Sequence, residues 1–549
     1  MSSGVSSAKG ACACSLIINN IKLPINASEQ EAFSVAMKKL RRASVRVGKA
    51  DLSIYRRSID ARRKDSISFV YSVRVCGEMS GITDAALAEA GAALDKAESP
   101  AISYGKEQME ARPVVVGSGP CGLFCALMLA EHGYAPILLE RGGSVAERIA
   151  AIEQFRRERV LDSNTNIQFG AGGAGTFSDG KLITRINDGM SQYVLDRFVE
   201  FGAPEDIRVS AKPHIGTDVL CEVVERMLSR IVELGGEVRY HTSFIDADFG
   251  ASKISNVLTD SGKIAAGALV LAIGHSARDT YSTLLSRGLA IEAKSFSVGV
   301  RIEHLCEDID HAMYGDFAGH PKLGHAEYAL SHNTAERGVY TFCMCPGGEV
   351  VAAASEQGGV VVNGMSNRKR DGKNSNSAVV CSIFREDYGS TPEKAIEFQR
   401  KIERAAFAAG GSDYSAPIIT FGDLASGELK HEPNRVLPTY MGGNGTKLAM
   451  PTDYLPHFVV DGIKNAVYAF DKRINGFASA DALITGAETR TSAPLRILRS
   501  SDTRLALGYE NLYPAGEGAG YAGGITSAAI DGIRTAIAVM GKYKAPRHG

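Results

Sequence analysis

Residues 111–141, ARPVVVGSGPCGLFCALMLAEHGYAPILLER, constrain the fold more than any other stretch of this chain. Pro113-Val114-Val115-Val116 is a short apolar, β-branched run of the kind that fills a buried parallel strand. It stops at Gly117-Ser118-Gly119-Pro120-Cys121-Gly122. In such a GxGxxG turn the first glycine permits a tight turn, the second lets a diphosphate approach the backbone, and the third lets the next helix pack on the strand. That helix points its free N–H groups and positive end at the phosphates. Leu123, Leu127 and Ala130 continue its apolar face, Ala126 keeps it close to the sheet, and Gly133 ends it. Pro136 to Leu139 then forms a second strand, closing on Glu140 and Arg141. Glu140 follows Gly117 by about 20 residues, the spacing at which a carboxylate accepts hydrogen bonds from an adenosine ribose. The whole unit reads as a dinucleotide site in a Rossmann-like α/β domain, whereas a lone GxGxxG can also be a turn without a ligand.

At 549 residues the chain exceeds what one core supports, and about three domains are expected. Lys+Arg 61 against Asp+Glu 62 leaves a net charge of −1, so no global attraction to nucleic acid or an anionic membrane is expected. Apolar runs such as residues 123–130 fall far short of the roughly 20 residues that span a bilayer. The first 28 residues lack acids but also lack arginine, and read as an ordinary N-terminal tail rather than a transit peptide. Ten cysteines without a framework of spacings point to a reducing compartment. Cytoplasmic residence is the expectation, with organellar import left open.

Residues 14–99 read as strand, helix, strand, strand, helix, most of a ferredoxin-like unit whose final strand has no clear sequence signal. Ile67, Phe69, Tyr71 and Val73 alternate with mostly polar residues, marking a half-buried strand. A basic cluster at Arg56, Arg57, Arg62, Arg63 and Lys64 lacks the aromatic pattern of an RNA-recognition motif and reads as a solvated face. Beyond the glycine-turn unit, Gly170 to Gly175 again satisfies GxGxxG, but no strand precedes it and no helix opening follows. With Lys181 and Arg185 nearby, this loop either lies against a cofactor or anion or is a plain surface loop. Residues 237–249 read as one strand, and residues 268–273 as a buried strand arriving at Gly274, where backbone passes close to the cofactor. Strand-like runs dominate from Phe296 onward without a second nucleotide turn, and NRKRDGKN at 367–374 reads as a solvated loop.

Near the C-terminus, Leu512-Tyr513-Pro514-Ala515 leads to Gly516-Glu517, and glycines at 518, 520, 523 and 524 precede a helix from Ile525. A simple NAD domain has no need of this element. It resembles the closing segment of two-motif flavoproteins. There the acid accepts a hydrogen bond from the ribityl chain, and the helix aims its positive end at the flavin edge where negative charge develops. Together VVGSGPCGLFCALMLAEHG, GGAGTFSDGKL, LAIGHSARDT, FCMCPGGEVV, TGAETRTSAP and LYPAGEGAGYAGGITSAAIDG resemble, in this order, the uncharacterised FAD-dependent dehydrogenases of the glutathione-reductase-like superfamily.

The resemblance implies FAD and an inserted substrate domain. It also implies that backbone near Phe244 and Ile245 lies against the adenine. The expected architecture is an N-terminal ferredoxin-like domain (1–100), an FAD-binding domain (101–290 and 495–549) and an inserted, mainly β domain (291–494). Expected cofactor-binding residues are Gly117, Ser118, Gly119, Pro120, Cys121, Gly122, Glu140, Arg141, Phe244, Ile245, Gly274, Gly516, Glu517, Gly524 and Ile525.

For catalysis the candidates are Lys181, His304, Cys343, Cys345 and Arg490. On a regular strand Cys343 and Cys345 would share a face with Cα atoms roughly 6.5–7 Å apart, at the stretched limit for a disulfide. No metal site is expected, because the cysteines show no matched second pair. The expected function is an FAD-dependent oxidoreductase moving hydride through flavin N5 to or from a small molecule, with NADH or NADPH as a candidate transient reductant. A flavin-dependent RNA-modifying enzyme and a non-catalytic FAD-binding sensor are the alternatives.

Overall fold

The computed structural model describes residues 14–96, 98–182 and 188–546. Arg185 lies outside the described residues. A five-stranded parallel sheet runs in the order Leu512–Pro514, Ala268–Leu271, Pro113–Val116, Ile137–Leu139, Glu237–Arg239. Its strands are short and apolar because both faces are covered. Val115, Leu138, Val270 and Tyr513 face the helices Pro120–Glu131, Thr217–Glu233 and Ile525–Lys542. Their neighbours Val114, Val116, Ile137, Leu139, Leu269, Leu271 and Leu512 face an antiparallel layer of Phe244–Phe249, Ile254–Thr259 and Gly262–Ala265. The strand expected over 237–249 is therefore two. The chain first extends the parallel sheet, turns near His241 at φ 48°, and then enters the other layer.

The N-terminal sheet is antiparallel, in the order Arg46–Asp60, Ser68–Ser80, Ser15–Pro24, Ala92–Leu94. Helix Glu29–Arg42 opens with a capping box between Ser28 and Glu31. The helix expected over 82–97 is shorter than its alanine-rich sequence implied. It covers Asp84–Ala90, stops at left-handed Gly91, and the three-residue strand Ala92–Leu94 follows. Apolar residues of this unit and of the larger sheet described next form one continuous core.

The chain leaves the parallel-sheet region through Ile291–Ala293 and returns through Leu495–Ile497, and these two strands pair antiparallel. Between them lies a seven-stranded mixed sheet ordered Ser331–Asn333, Gly338–Cys345, Asn374–Ile383, Phe296–Leu305, Leu483–Glu488, Ala416–Thr420, Thr446–Leu448. Only its last pair is parallel. Helix His457–Asp471 buries Val459, Val460, Ile463, Ala466, Val467 and Phe470 in the same core. Among the described residues no helix is long and apolar enough to cross a membrane.

Candidate functional site

A cavity of about 610 Å³ opens outside the carboxyl ends of the parallel strands, the usual ligand position in such sheets. Its walls come from the Gly117 turn, the loop at Gly173–Lys181, residues 272–277, the closing segment at Glu517–Ala528, and residues 341–344 of the mixed sheet.

The glycine turn divides its labour among its glycines. At φ +96°, Gly117 leaves only 2.4 Å between an added Cβ and the Ala272 carbonyl oxygen. At Gly122 the corresponding distance to the Gly117 oxygen is 1.8 Å, so the helix can pack this closely only with glycine there. Gly119 differs: an added Cβ would meet Gly173 Cα at 3.7 Å, an ordinary contact, and Gly119 lines the cavity. Glu140 serves the protein itself. Its carboxylate accepts from Ser118 N at 3.1 Å, Ser118 Oγ at 2.6 Å, Gly142 N at 3.0 Å and Gly170 N at 3.0 Å. These fill the roughly four acceptor positions a carboxylate has. The expected ribose acceptor thus ties the glycine turn to the second glycine-rich loop. Arg141 lies over the Phe169 ring at 4.4 Å, pairs with Asp279, and lines the cavity.

The second glycine-rich loop is not a surface loop. Buried Arg148 gathers it from below, donating to the carbonyls of Asn166 (2.8 Å), Ile167 (2.7 Å), Ala171 (2.7 Å) and Gly173 (2.9 Å). Gly173, Ala174, Gly175, Ser178, Asp179 and Lys181 then face the cavity. Sequence reading had no signal for Arg148, which looks like one charge among many on an amphipathic helix. The basic stretch 367–374 is exposed at Asn367, Lys369, Asp371, Gly372 and Lys373, as a solvated loop should be, but departs from expectation at Arg370. Arg370 is mostly buried, donating to Asp179 at 2.8 Å and Glu327 at 2.5 Å. Buried Asp179 also meets Lys181 Nζ at 3.4 Å and His214 Nδ1 at 3.5 Å. Burial alone would raise the Asp179 pKa, but Lys181, the His214 hydrogen bond and Arg370 hold it well below the ordinary carboxylate range. Burial likewise disfavours the Lys181 ammonium, and Asp179 with Glu327 reverses the sign.

Three observations test whether these walls fit a dinucleotide with a flavin end. An added Cβ at Gly274, Gly523 or Gly524 would meet nothing within 4 Å, so bare backbone faces open space there. Neither helix Pro120–Glu131 nor helix Ile525–Lys542 carries a side-chain N-cap, so both leave N–H groups at the cavity free for a ligand. Among the described residues, the Glu517 carboxyl meets no hydrogen-bond donor, and burial pushes it up to about 7 against a weak opposing pull from Lys294. A ligand that brings hydroxyls to Glu517 and anionic or electron-rich atoms to the two helix ends fits this lining.

The remaining expected residues divide. Gly117, Gly119, Pro120, Cys121, Glu140, Arg141, Phe244, Gly274, Glu517, Gly524 and Ile525 line the cavity. Ser118, Gly122 and Gly516 stand behind it. Gly516 N donates to Asp531 at 2.7 Å, and an added Cβ would press on Cys121. Ile245 points to solvent at 51% exposure, because alternation along its strand turns it away when Phe244 turns in. His304 is displaced altogether. It is buried in the mixed sheet, its Nε2 lies 2.8 Å from the Phe477 carbonyl, and burial lowers its pKa. Arg490 reaches the cavity wall, but its guanidinium is engaged by Glu403 (2.9 and 3.0 Å) and Ser355 (3.0 Å). Lys181 and Cys343 line the cavity, and Cys345 is fully buried behind Cys343. His275, outside the expected set, faces the cavity. Burial, with Arg490 and Arg278 nearby, pushes it down to about 3, so it is a neutral imidazole.

These features define an α/β protein with a five-stranded parallel sheet and mixed β sheets. Residues 295–491 match the family described as FAD-dependent protein, C-terminal domain-like, and residues 16–76 match a domain of unknown function, DUF8436. The chain belongs to the same family as an uncharacterized protein of Clostridium beijerinckii (strain ATCC 51743 / NCIMB 8052). The two are 42% identical over 534 residues, covering 96% of this chain and 99% of the relative. Similar solved structures include CtdE in complex with FAD (10% identity, 78% of this chain and 84% of that one, TM-score 0.31). Another is glycine oxidase from Bacillus cereus ATCC 14579 (10% identity, 79% and 96%, TM-score 0.31). A third is L-amino acid deaminase from Proteus vulgaris (12% identity, 81% and 97%, TM-score 0.31).

Proposed function

We propose that this protein is an FAD-dependent oxidoreductase acting on a small molecule. In this reading residues 101–290 and 495–549 form the FAD-binding domain, residues 291–494 the substrate domain, and residues 1–100 a ferredoxin-like accessory domain. The observation that carries it is the convergence of two uncapped, glycine-opened helices and the unpartnered Glu517 on one cavity. Bound FAD would supply hydride transfer at N5. The chain's part is to bind and orient. The N–H groups after Gly119 hold the diphosphate, Glu517 accepts from the ribityl hydroxyls, and the N-terminus at Ile525 offers positive potential to the electron-rich ring edge. Gly274 and the loop at Gly173–Gly175 would allow close backbone approach, and residues 341–344 of the mixed sheet wall the cavity where a substrate would meet the cofactor. NADH or NADPH is the proposed transient electron donor.

The absorption spectrum of purified protein tests the cofactor, with flavin bands expected. Anaerobic mixing with NADH and then NADPH tests turnover, with bleaching of those bands expected. A flavin-free spectrum that stays so after incubation with FAD would overturn the reading.

A further inference from the structure

Strand Gly338–Cys345 pairs regularly with Asn374–Ile383 as far as Phe342 opposite Ala378. It then resumes at Cys345 opposite Asn376, so it holds one extra residue between those points. That extra residue makes a β-bulge, and Cys343 sits in it with φ 44°. A bulge re-aims side chains, and here it separates two thiols that a regular strand would present alike. Cys343 is partly exposed and lines the cavity, whereas Cys345 lies behind it with no exposure. The two residues still touch, the Cys345 thiol donating to the Cys343 carbonyl oxygen at 3.3 Å. Cations stand on either side. Arg301, fully buried, donates to the Cys343 carbonyl at 2.7 Å, and Lys181 faces the pair from the glycine-rich loop. Thr526 Oγ1 donates to the Leu182 carbonyl at 2.9 Å, which sets Lys181 beside the start of helix Ile525–Lys542. The thiols therefore share the end of the cavity where the proposed flavin ring lies.

We infer that Cys343 and Cys345 form a redox-active dithiol that reduces low-molecular-weight disulfides entering this cavity, Cys343 attacking and Cys345 resolving. In the first step the Cys343 thiolate forms a bond to one sulfur of R–S–S–R, the substrate S–S bond breaks, and RS⁻ leaves and takes up a proton. In the second, Cys345 gives up its proton, attacks the Cys343 sulfur, and expels the second RS⁻, which takes that proton. One substrate disulfide is reduced to two thiols and the two cysteines are oxidised to a disulfide. Geometry assigns the order, since only Cys343 is reachable from the cavity. Electrostatics agrees in direction. The neighbouring Cys345 thiol is the largest influence lowering the Cys343 pKa, with Arg301 and Lys181 helping against burial, while burial and the neighbouring sulfur raise Cys345. The exchange concerns the chain's own sulfurs. Repeated turnover rests on the flavoprotein reading, with reduced flavin as the two-electron donor that restores the dithiol.

The test uses full-length protein as purified, reduced and desalted anaerobically, then treated with 2-hydroxyethyl disulfide, alkylated and mapped by peptide mass spectrometry. Wild type is expected to lose two hydrogens in a Cys343–Cys345 peptide. Cys345→Ser is expected to trap a mercaptoethanol adduct on Cys343, and Cys343→Ser to form neither product. At pH 7, iodoacetamide is expected to label Cys343 in folded wild-type protein at least about tenfold faster than Cys121, Cys125, Cys221 or Cys381. Wild type in which both Cys343 and Cys345 remain alkylatable after disulfide treatment would overturn the inference. So would a Cys345→Ser adduct distributed over other cysteines. Flavin content, read from the same samples, reports separately on the cofactor, so disulfide formation without flavin sinks only the reading of the previous section.

Discussion

Glu517 gives the sharpest test of the site, because its chemistry can be measured before any substrate is known. Burial lifts its carboxyl from 4.5 to about 7. At about 1.4 kcal/mol per unit, ionising it inside the folded chain costs about 3 kcal/mol more than in water. The raised value fixes the sign. Below about pH 4.5 the group is protonated in both the folded and unfolded chain and has no effect. Between about 4.5 and 7 the unfolded chain releases the proton while the folded chain keeps it, so stability falls as pH rises. Above about 7 the whole penalty is present. Glu517→Gln removes the ionisation and keeps the size. In flavin-free protein the variant should therefore be more stable than wild type, by little near pH 5 and by about 3 kcal/mol near pH 8, in urea unfolding followed by circular dichroism. Saturating FAD should narrow the gap, because ribityl hydroxyls would stabilise the carboxylate. A gap that does not change with pH, or a variant less stable at pH 8, refutes the assignment of Glu517 as an unpartnered carboxyl.

Other expectations follow from the same geometry. Gly119→Ala should leave the flavin-free melting temperature nearly unchanged, since its Cβ meets only an ordinary contact, yet should weaken FAD binding measured by fluorescence titration. Gly122→Ala should compromise folding itself, because its Cβ would lie 1.8 Å from a carbonyl oxygen, and circular dichroism would show it. Arg301→Met leaves Glu488 buried without its partner and should cost about 3–5 kcal/mol in urea unfolding. Glu356 is depressed to about 2, where Arg400 and Arg278 outweigh its burial, and Glu403 is held low by Arg278 and Arg490. Both contribute stability above about pH 4.5 that is lost as pH falls towards 2, so an acid titration should show unfolding in that window, shifted by Glu403→Gln.

The parallel sheet and its first glycine turn were legible because their signals are local. A β-branched run, a glycine at each place where a Cβ would strike a carbonyl, and a helix opening all lie within one short segment. Residues 14–96 were nearly as legible, except for Ala92–Leu94, too short for alternation to mark. Misreadings occurred where meaning depended on distant partners. The run at 367–374 is a solvated loop over most of its length, as its charge implies, but the approach of Asp179 and Glu327 buries Arg370 within it. His304 looks as available as Lys181 in the sequence, yet the strand carrying it turns it into the core of the mixed sheet.

What the sequence determined by itself is thus the glycine turn and parallel sheet, the closing glycine segment with Glu517, and the candidacy of Cys343 and Cys345. Tertiary structure alone decided that the second glycine-rich loop is drawn in by Arg148, that Glu140 is consumed in tying the two loops together, and that a one-residue bulge aims Cys343 into the cavity. The physical reason is the same in each case. Steric and helical constraints act within a few residues and leave a pattern in the chain, whereas a carboxylate or a sulfur acquires its role from atoms brought near it only by folding.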